Sequence, residues 1–319
     1  MSMRLNSILK ATTLGSLLAL AVTGRVSAVD GVIEINQARA LAGGVTPGDS
    51  PGFPVTISQP GSYRLTGNLD VRPPANPGQA NPENVTAIKV TVGDVTLDLN
   101  GFVISGPVSC TFNGTAVVCS ISGSGNGIDA GAIGGNALTH VVITDGAVIG
   151  FGHDGIHGNQ ADRVERVRVS NNANFGIDVD NESLVSRCKA QVNGQRGISA
   201  GPDSVVSDNI ASANGEIGIL GDLGSTITGN TSTNNVGAGI NAGSGVTLTR
   251  NSSRENKGRG ISTGGGCILN GNSATDNTGF CLGLGSSSGY TNNVIDSNTA
   301  GTVTGGVSLG QNLCNGVAC

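Results

Sequence analysis

Aromatic residues are scarce in this 319-residue chain, which has no Trp and two Tyr. Grooves that hold sugar rings usually stack them on Trp or Tyr, so this scarcity counts against a carbohydrate-processing site. Basic residues are also few, 17 Lys and Arg against 22 Asp and Glu, and they form no continuous stripe. An acidic chain of this kind is a poor partner for nucleic acid or for an anionic membrane surface.

Long apolar runs are missing except near the N-terminus. Arg4 and Lys10 give a positive start, residues 11–22 are apolar, and residues 26–28 form a small-residue cleavage motif. This pattern predicts a secretory signal peptide that is cleaved after Ala28; an uncleaved membrane anchor is the alternative. The apolar run is shorter than the roughly 20 residues that a membrane span needs. We therefore expect a secreted protein, periplasmic, cell-surface or extracellular, without a transmembrane segment.

Glycine, in contrast, is abundant at 53 residues, and a fixed repeat accounts for it. Asparagines recur every 21 residues in a column that we call the first asparagine ladder: Asn172, Asn193, Asn214, Asn235, Asn256, Asn277 and Asn298. A second asparagine ladder keeps the same interval: Asn209, Asn230, Asn251, Asn272 and Asn293. A period of this length indicates one structural unit that repeats and stacks. We expect both ladders to be internal turn residues; a row of sugar-binding amides is the alternative.

Apolar residues keep the same interval. One column reads Ile156, Ile177, Ile198, Ile219, Ile240, Ile261, Leu282 and Val303. Short alternating runs broken by Gly and Asn are typical of strands and turns, not of helices. Strands stacked about 4.8 Å apart would place equivalent side chains directly above one another. The sequence therefore predicts an all-β fold, a single-stranded parallel β-helix (solenoid) with about 21-residue coils.

A column of glycines marks one bend of each coil, where a positive φ or a close backbone approach is expected. The column reads Gly155, Gly176, Gly197, Gly218, Gly239 and Gly260. Cys281 takes the next position, so we expect the bend to relax there or the Cys to be held by a bond.

The terminal segments fall outside the repeat, and they would cover the open ends of the coil. The predicted organisation is a signal peptide (1–28), an N-terminal cap and loop (29–84), a β-helix (85–303) with an insertion (107–126), and a C-terminal cap (304–319). Within the N-terminal cap we expect a short amphipathic helix over residues 35–41. We expect a hairpin from the segments that begin at Phe53 and Gly61.

Export makes disulfides plausible, and most of the seven Cys lie in close pairs. Proximity suggests three candidate bonds and leaves Cys188 over: Cys110 with Cys119, Cys267 with Cys281, and Cys314 with Cys319. No CxxC or Cys/His spacing predicts a zinc site.

The repeat units resemble a known family. Residues 209–214 and 251–256 have the form N-x-[AS]-x-x-N, and they, together with residues 95–106, resemble the right-handed parallel β-helix (pectate-lyase-like) family. The resemblance covers about residues 85–305 and implies an exported bacterial protein with a right-handed coil. It says little about activity, because one fold hosts many functions.

The same resemblance bears on metals. Lyases of this fold use Asp-bound calcium and a basic residue, but the required set of acids is not visible here, so calcium has no support and no cofactor is predicted. Residues 95–106 also resemble the first coils of periplasmic proteins that assist copper loading of nitrous oxide reductase. Two Met and three His are few soft ligands for copper.

Ionisable residues concentrate in segment 140–187, which holds all three His. One column of candidate catalytic residues reads Asp129, His157, Asp178 and then Ser199, with Asp154 nearby, stacked on the Phe175 and Arg196 positions. A His beside a carboxylate can act as a general base; a solvated polar face is the alternative. His153 and His157 would lie about 13 Å apart along one strand, too far for one metal unless a bend intervenes.

A second charged column reads Asp145, Arg166, Arg187 and Asp208. It predicts a structural charge ladder, with an anion-binding Arg pair as the alternative.

The sequence leaves two functions, and the uniform coils without a recognisable catalytic triad or acid cluster favour the first. The first is a non-enzymatic surface that binds a cell-surface polysaccharide or a protein partner. The second is a polysaccharide lyase, hydrolase or epimerase with a site near His157 and Asp178.

Overall fold

The computed structural model describes residues 31–132 and 138–319. The expected signal peptide lies outside the described residues. Within them, regular structure is almost entirely β: one sheet of 22 strands, one of 11 strands and one two-stranded hairpin. Helix is limited to an α-helix at Gln37–Ala42 and a 3-10 turn at Pro82–Asn84. No helix in this part of the chain is long and apolar enough to cross a membrane.

The larger sheet takes two strands from most coils. Its strands are Val32–Ile35, Gly61–Leu65, Leu69–Asp70, Val95–Asp98, Val103–Ser105, Val141–Ile149, Arg163–Ser170, Leu184–Ser186, Lys189–Gln191, Val205–Ser207, Ile210–Ser212, Thr226–Thr228, Thr231–Thr233, Thr247–Thr249, Ser252–Arg254, Ile268–Asn270, Ser273–Thr275, Gly289–Thr291, Val294–Asp296, Val307–Ser308, Leu313–Cys314 and Val317–Ala318.

The smaller sheet takes one strand from each coil. Its strands are Val55–Ile57, Ile88–Val90, Ile128–Asp129, Ile156–His157, Ile177–Val179, Ile198–Ala200, Ile219–Gly221, Ile240–Ala242, Ile261–Thr263, Leu282–Gly283 and Val303–Thr304.

Between residues 142 and 304, the strands of successive coils pair in parallel at the 21-residue interval. Ile177 pairs with Ile198, and Ile198 with Ile219, so each isoleucine lies directly above its equivalent in the next coil. These side chains are fully buried and form one continuous core along the rod. Each buried aliphatic side chain stabilises the fold by about 1.5–3 kcal/mol relative to exposure. The predicted all-β solenoid with 21-residue coils is therefore confirmed.

Both asparagine ladders lie inside the solenoid. In the first, Nδ2 of Asn214 donates to Oδ1 of Asn235 over 3.0 Å, and Nδ2 of Asn235 donates to Asn256 over 2.9 Å. The backbone N–H of Asn214 also donates to Oδ1 of Asn235. The second ladder uses the same contacts, as between Asn230 and Asn251. These amides are buried, so the ladders are internal turn residues that satisfy backbone donors at the bends.

Close backbone approach, rather than a positive φ, explains the glycine column. A Cβ on Gly197 would lie 2.6 Å from Nδ2 of Asn214 and 2.6 Å from the carbonyl oxygen of Gly218. Cys281 interrupts this column and forms no disulfide, since it is a free, buried Cys. Its Sγ lies against Nδ2 of Asn298, at the far end of the first asparagine ladder.

The N-terminal segment corrects one prediction. Residues 55–57 pair in parallel with residues 88–90, while residues 61–65 pair in parallel with residues 32–35 and 95–98. The expected hairpin between the segments that begin at Phe53 and Gly61 is therefore wrong, because the two segments belong to different sheets of one early coil. The expected helix is present but begins two residues later, at Gln37.

Cysteine pairing agrees with proximity in two cases and not in the third. Cys110–Cys119 closes an antiparallel hairpin within residues 107–126, and Cys314–Cys319 joins the last strands. Cys267 and Cys281 are both free and buried, so the bond expected between them is wrong. Cys267 instead takes a turn position, where its backbone N–H donates to Ser288.

Candidate functional site

The candidate column lies on the outward face of the smaller sheet. Asp129 pairs with His157, His157 with Asp178, and Asp178 with Ser199, each in the next coil. In these short strands the isoleucine points into the core and the next residue points outward. The alternation of the strand therefore aligns the four side chains, as the sequence predicted.

Asp154 lies behind His157, at the bend that precedes the strand. Its side chain is 2% exposed, and its Oδ1 accepts from the backbone N–H of Phe175 at 2.9 Å and from Nδ2 of Asn174 at 2.8 Å. Its Oδ2 lies 3.7 Å from Nδ1 of His157. Asp154 is therefore held rigidly, with one carboxylate oxygen directed at the histidines.

The bend also brings His153 into the cluster. Nδ1 of His153 lies 3.0 Å from Oδ2 of Asp154, the same oxygen that faces His157. The strand begins only at Ile156, so the extended spacing of about 13 Å expected for four strand residues does not apply. The bend that would bring the two histidines together is therefore present in the residues just before the strand.

Metal binding can be tested on the chemistry of the donors. Asp154, His157 and Asp178 each offer one ligand atom, and these atoms lie within 4.8 Å of one another. A calcium ion takes about six to eight oxygen ligands. One imidazole and two carboxylates supply fewer oxygen ligands than this, so the cluster of Asp154, His157 and Asp178 does not by itself match a calcium site.

A cleft of about 420 Å³ opens over this face and extends across several coils. His157 and Asp178 line it, together with Arg196, Asp180 and Asp222. Its described lining includes neither Asp154 nor Asp129. A ligand in the cleft would therefore meet His157, Asp178 and Ser199, whereas Asp154 lies behind His157 and Asp129 lies outside the lining.

Arg196 is the cation of the cleft. Its guanidinium carbon lies 5.1 Å from the ring centroid of Phe175, which is a cation–π distance. Its Nε is buried without a hydrogen-bond partner among the described residues, and its nearest acid, Glu216, is 3.8 Å away. Arg196 thus keeps hydrogen-bonding capacity that a ligand could use.

The surrounding carboxylates make His157 a stronger base than a free imidazole. Its pKa is raised above the ordinary value, chiefly through Asp178, with the charges of Asp154 and Asp129 adding to the effect and burial opposing it. Nδ1 lies 3.6 Å from Oδ2 of Asp178, longer than a hydrogen bond, so we ascribe the effect to charge. Burial raises the pKa of Asp154, while the N–H of Phe175 and the two histidines act against it.

Sequence reasoning found the column but missed most of the cleft. Arg196 was noted only as a position stacked on Asp154, and Asp180 and Asp222 were not singled out. The 21-residue interval does connect Asp180 with Asp222. Both belong to one column, which reads Asn159, Asp180, Gly201 and Asp222. Nothing in the sequence indicated that the turn residues of this column line the cleft beside the strands.

Comparisons with known proteins agree with this architecture. Residues 154–300 match the family model described as right handed beta helix region. No curated protein sequence matches the chain.

Among solved structures, the A-module of mannuronan C-5 epimerase AlgE4 from Azotobacter vinelandii superposes with a TM-score of 0.52 at 14% identity, over 77% of this chain and 72% of that one. The periplasmic alginate epimerase AlgG superposes with a TM-score of 0.53 at 10% identity, over 79% of this chain and 74% of that one. At such identities the likeness shows the fold alone. Together with the parallel register of the coils, these matches identify the chain as a right-handed parallel β-helix protein.

Proposed function

We propose that the protein binds a polysaccharide in the cleft and acts on it by proton transfer through His157. The observation that carries this proposal is the position of His157, which lies between the buried carboxylate of Asp154 and the cleft-lining carboxylate of Asp178. An imidazole held in this way can take a proton from a bound sugar and return one.

Each neighbour of His157 has a separate part in this proposal. Asp154 does not line the cleft, so it orients the imidazole and stabilises its charged form. Asp178 lines the cleft beside His157 and raises its pKa. Arg196 supplies the positive charge opposite these acids, and it suits a substrate oxygen that carries or gains negative charge.

Proton transfer by His157 is the reaction that its contacts support most directly. The cleft is lined by three carboxylates, Asp178, Asp180 and Asp222, and Asp178 is the one beside His157. In a β-elimination, His157 takes the proton α to a sugar carboxylate, the C–O bond at the β carbon breaks as the double bond forms, and the same imidazole returns the proton to the leaving oxygen. Arg196 stabilises the negative charge that develops on the sugar carboxylate. The likeness to two proteins named as epimerases of mannuronan and alginate supports a polysaccharide as the substrate class.

The disulfides of the chain indicate export, which also supports a polysaccharide as the substrate. Two disulfides, Cys110–Cys119 and Cys314–Cys319, are typical of proteins that work outside the cytoplasm. We therefore place the activity in the periplasm, at the cell surface or in the medium, where polysaccharides are accessible.

Binding without catalysis is a second candidate, and one observation favours it. Beyond Asp178 the outward column of the smaller sheet continues as Ser199, Leu220, Asn241 and Ser262, none of which is ionisable. A long neutral face of this kind can bind a glycan chain and has no residue for acid–base chemistry.

One experiment separates the two candidates. Purified mature protein is incubated with a panel of polysaccharides in D₂O, and NMR follows deuterium incorporation, unsaturated products and new chain ends. We expect a reaction in the wild type that falls by about 10²–10⁴-fold in His157→Ala, with Asp203→Asn as the control because Asp203 is exposed outside the cleft. Glycan binding without turnover in the wild type would establish the binding function and overturn the catalytic one.

A further inference from the structure

A group of basic side chains lies on the outer surface of the larger sheet, outside the cleft. We call it the basic patch; its members are Arg163, Arg166, Arg168, Arg187 and Lys189, all exposed. They belong to two successive coils. Since the whole chain has a net charge of −5 and 17 basic residues, five of them in two coils is a local concentration that the overall composition does not show.

One buried acid organises part of the patch. Oε1 of Glu165 accepts from Arg163 at 2.9 Å and from Arg187 at 3.3 Å, and Oε2 accepts from Arg166 at 3.2 Å. The side chain of Glu165 is 6% exposed, and its pKa is lowered to about 2, chiefly by the Arg163 hydrogen bond. Three guanidinium groups are therefore held around one point instead of moving freely in solvent.

The charge ladder expected from the sequence forms at one end only. Arg166 binds Asp145 through two hydrogen bonds of 2.6 Å, as opposite charges one coil apart should. Arg187 turns towards Glu165, and the described residues include no ion pair between Arg187 and Asp208. The five cations of the patch thus meet two acids, which leaves an excess of positive charge at the surface.

Arg168 and Lys189 are the part of the patch that the fold does not explain. They pair in register across adjacent strands, and neither has an ion-pair partner in the described ranges. Like charges directly opposite each other destabilise a sheet. Later coils place Thr231, Ser252 and Ser273 in the same column. Stacking therefore does not require cations here, and their presence points to a ligand.

We propose that the basic patch docks an acidic polysaccharide whose carboxylates contact Arg168, Lys189 and the exposed sides of the guanidinium groups. Guanidinium forks match carboxylates in a planar, two-bond geometry. The patch covers two coils, and the next residue of the column, Ile210, is uncharged. A thin chain can lie on so small an area without meeting the acidic remainder of the surface.

Other polyanions fit this surface less well. Single-stranded nucleic acids are bound by aromatic platforms as well as by charge, and the patch contains no aromatic residue. A membrane surface or a nucleic-acid duplex is wide, so it would also meet the acidic surface that gives the chain its negative net charge. We therefore commit to a single carboxylate-bearing glycan chain.

This docking surface does not depend on catalysis at His157. The strand that carries Arg163 follows the His157 strand after the turn at residues 158–162, so the patch lies around the edge from the cleft. None of its five members lines the cleft. A glycan can be held here whether or not His157 acts on any part of it.

The test measures binding of the mature protein to polygalacturonate by calorimetry, with dextran as a neutral chain of similar chemistry. The variant is Arg168→Ser/Lys189→Ser, which introduces a residue that other coils already carry at this position. The control is Arg254→Thr/Lys257→Thr, which removes the same charge from exposed positions three coils away and also uses residues found in neighbouring coils.

We expect polygalacturonate, and not dextran, to bind the wild type, with an association constant that falls about tenfold in the patch variant. The control should bind as the wild type does, which ties the loss of binding to this surface and not to a general loss of positive charge. Equal binding by the patch variant and the control would overturn the proposal. So would patch-dependent binding of anionic vesicles or single-stranded DNA in place of the polyuronate.

Discussion

Oδ2 of Asp154 lies 3.0 Å from Nδ1 of His153 and 3.7 Å from Nδ1 of His157, so one buried carboxylate faces two imidazoles. His157 is half-buried and shares its environment with Asp178, whereas His153 lies further from the cleft. Of the two imidazoles, His157 is the one that lines the cleft, so it is the one that a ligand there would meet.

The first prediction concerns the pKa of His157. Replacing Asp178 with Asn removes the strongest influence that raises this pKa, so the pKa should fall. NMR of the imidazole carbon-bound protons across a pH titration measures it. Asp222→Asn is the matched control, because Asp222 lines the same cleft and is not among the groups that raise the pKa. An unchanged titration in Asp178→Asn would show that the two side chains do not interact in solution.

The raised pKa of His157 also makes the stability of the folded protein depend on pH. Its pKa in the folded protein lies above the value in the unfolded chain. Its contribution to stability is therefore complete below the unfolded pKa, near 6.5, and is lost as the pH rises through the folded value.

The second prediction concerns the first asparagine ladder. Asn235→Ala removes the acceptor for Nδ2 and the backbone N–H of Asn214 and the donor for Oδ1 of Asn256. Because these groups are buried, we expect a loss of about 2–4 kcal/mol in the free energy of unfolding. Denaturant titration followed by circular dichroism measures this loss.

Asn241→Ala is the control for that experiment, since Asn241 lies on the outward face of its strand. Its effect should stay within about 0.5 kcal/mol. If both variants lost the same stability, the internal role of the ladder would be refuted.

The third prediction concerns Asp162, which begins a column of buried turn residues. The column continues as Ser183, Ser204 and Ser225, each accepting a hydrogen bond from the backbone N–H of the residue one coil before it, and we call it the serine ladder. The backbone N–H of Val141 donates to Oδ1 of Asp162 at 2.9 Å, and the N–H of Asp162 donates in turn to Ser183 at 3.1 Å. Burial raises the pKa of Asp162 to about 6, although the N–H groups of Asn159 and Val141 act against it.

A raised carboxyl pKa means that the folded protein holds the proton more tightly than the unfolded chain does. This contribution to stability is present below the unfolded pKa, near 4, and is lost as the pH rises through about 6. Asp162→Ser keeps the ladder contact and removes the titration. Thermal unfolding between pH 4 and pH 8 should therefore show a flatter dependence on pH in this variant than in the wild type.

Asp203→Asn serves as the comparison for Asp162→Ser, because Asp203 is an exposed carboxylate about two coils away. It should keep the pH dependence of the wild type. A pH profile of Asp162→Ser identical to that of the wild type would mean that Asp162 does not titrate in this range.

Interval patterns explain which parts of the fold were predictable. A repeat of 21 residues forces equivalent side chains into vertical columns, so the ladders, the core isoleucines and the outward column from His157 to Ser199 followed directly. Asp129 joins this column 28 residues before His157, which the period alone does not require. The segments that begin at Phe53 and Gly61 lie outside the repeat, and local turn signals there suggested a hairpin. Long-range parallel pairing with residues 88–98 decided otherwise. The unpaired Cys267 and Cys281 are a similar case, because proximity in the sequence does not establish bonding geometry.

The candidate site shows the same division. The sequence by itself determined that His157 and Asp178 are neighbours, because strand stacking depends only on the period. The tertiary structure decided that Asp154 lies behind His157, that Arg196 lies over Phe175, and that turn residues such as Asp180 line the cleft. The period fixes which coil a residue occupies and its height along the rod. The path of each bend depends on buried contacts between coils, and those contacts exist only once the chain has folded.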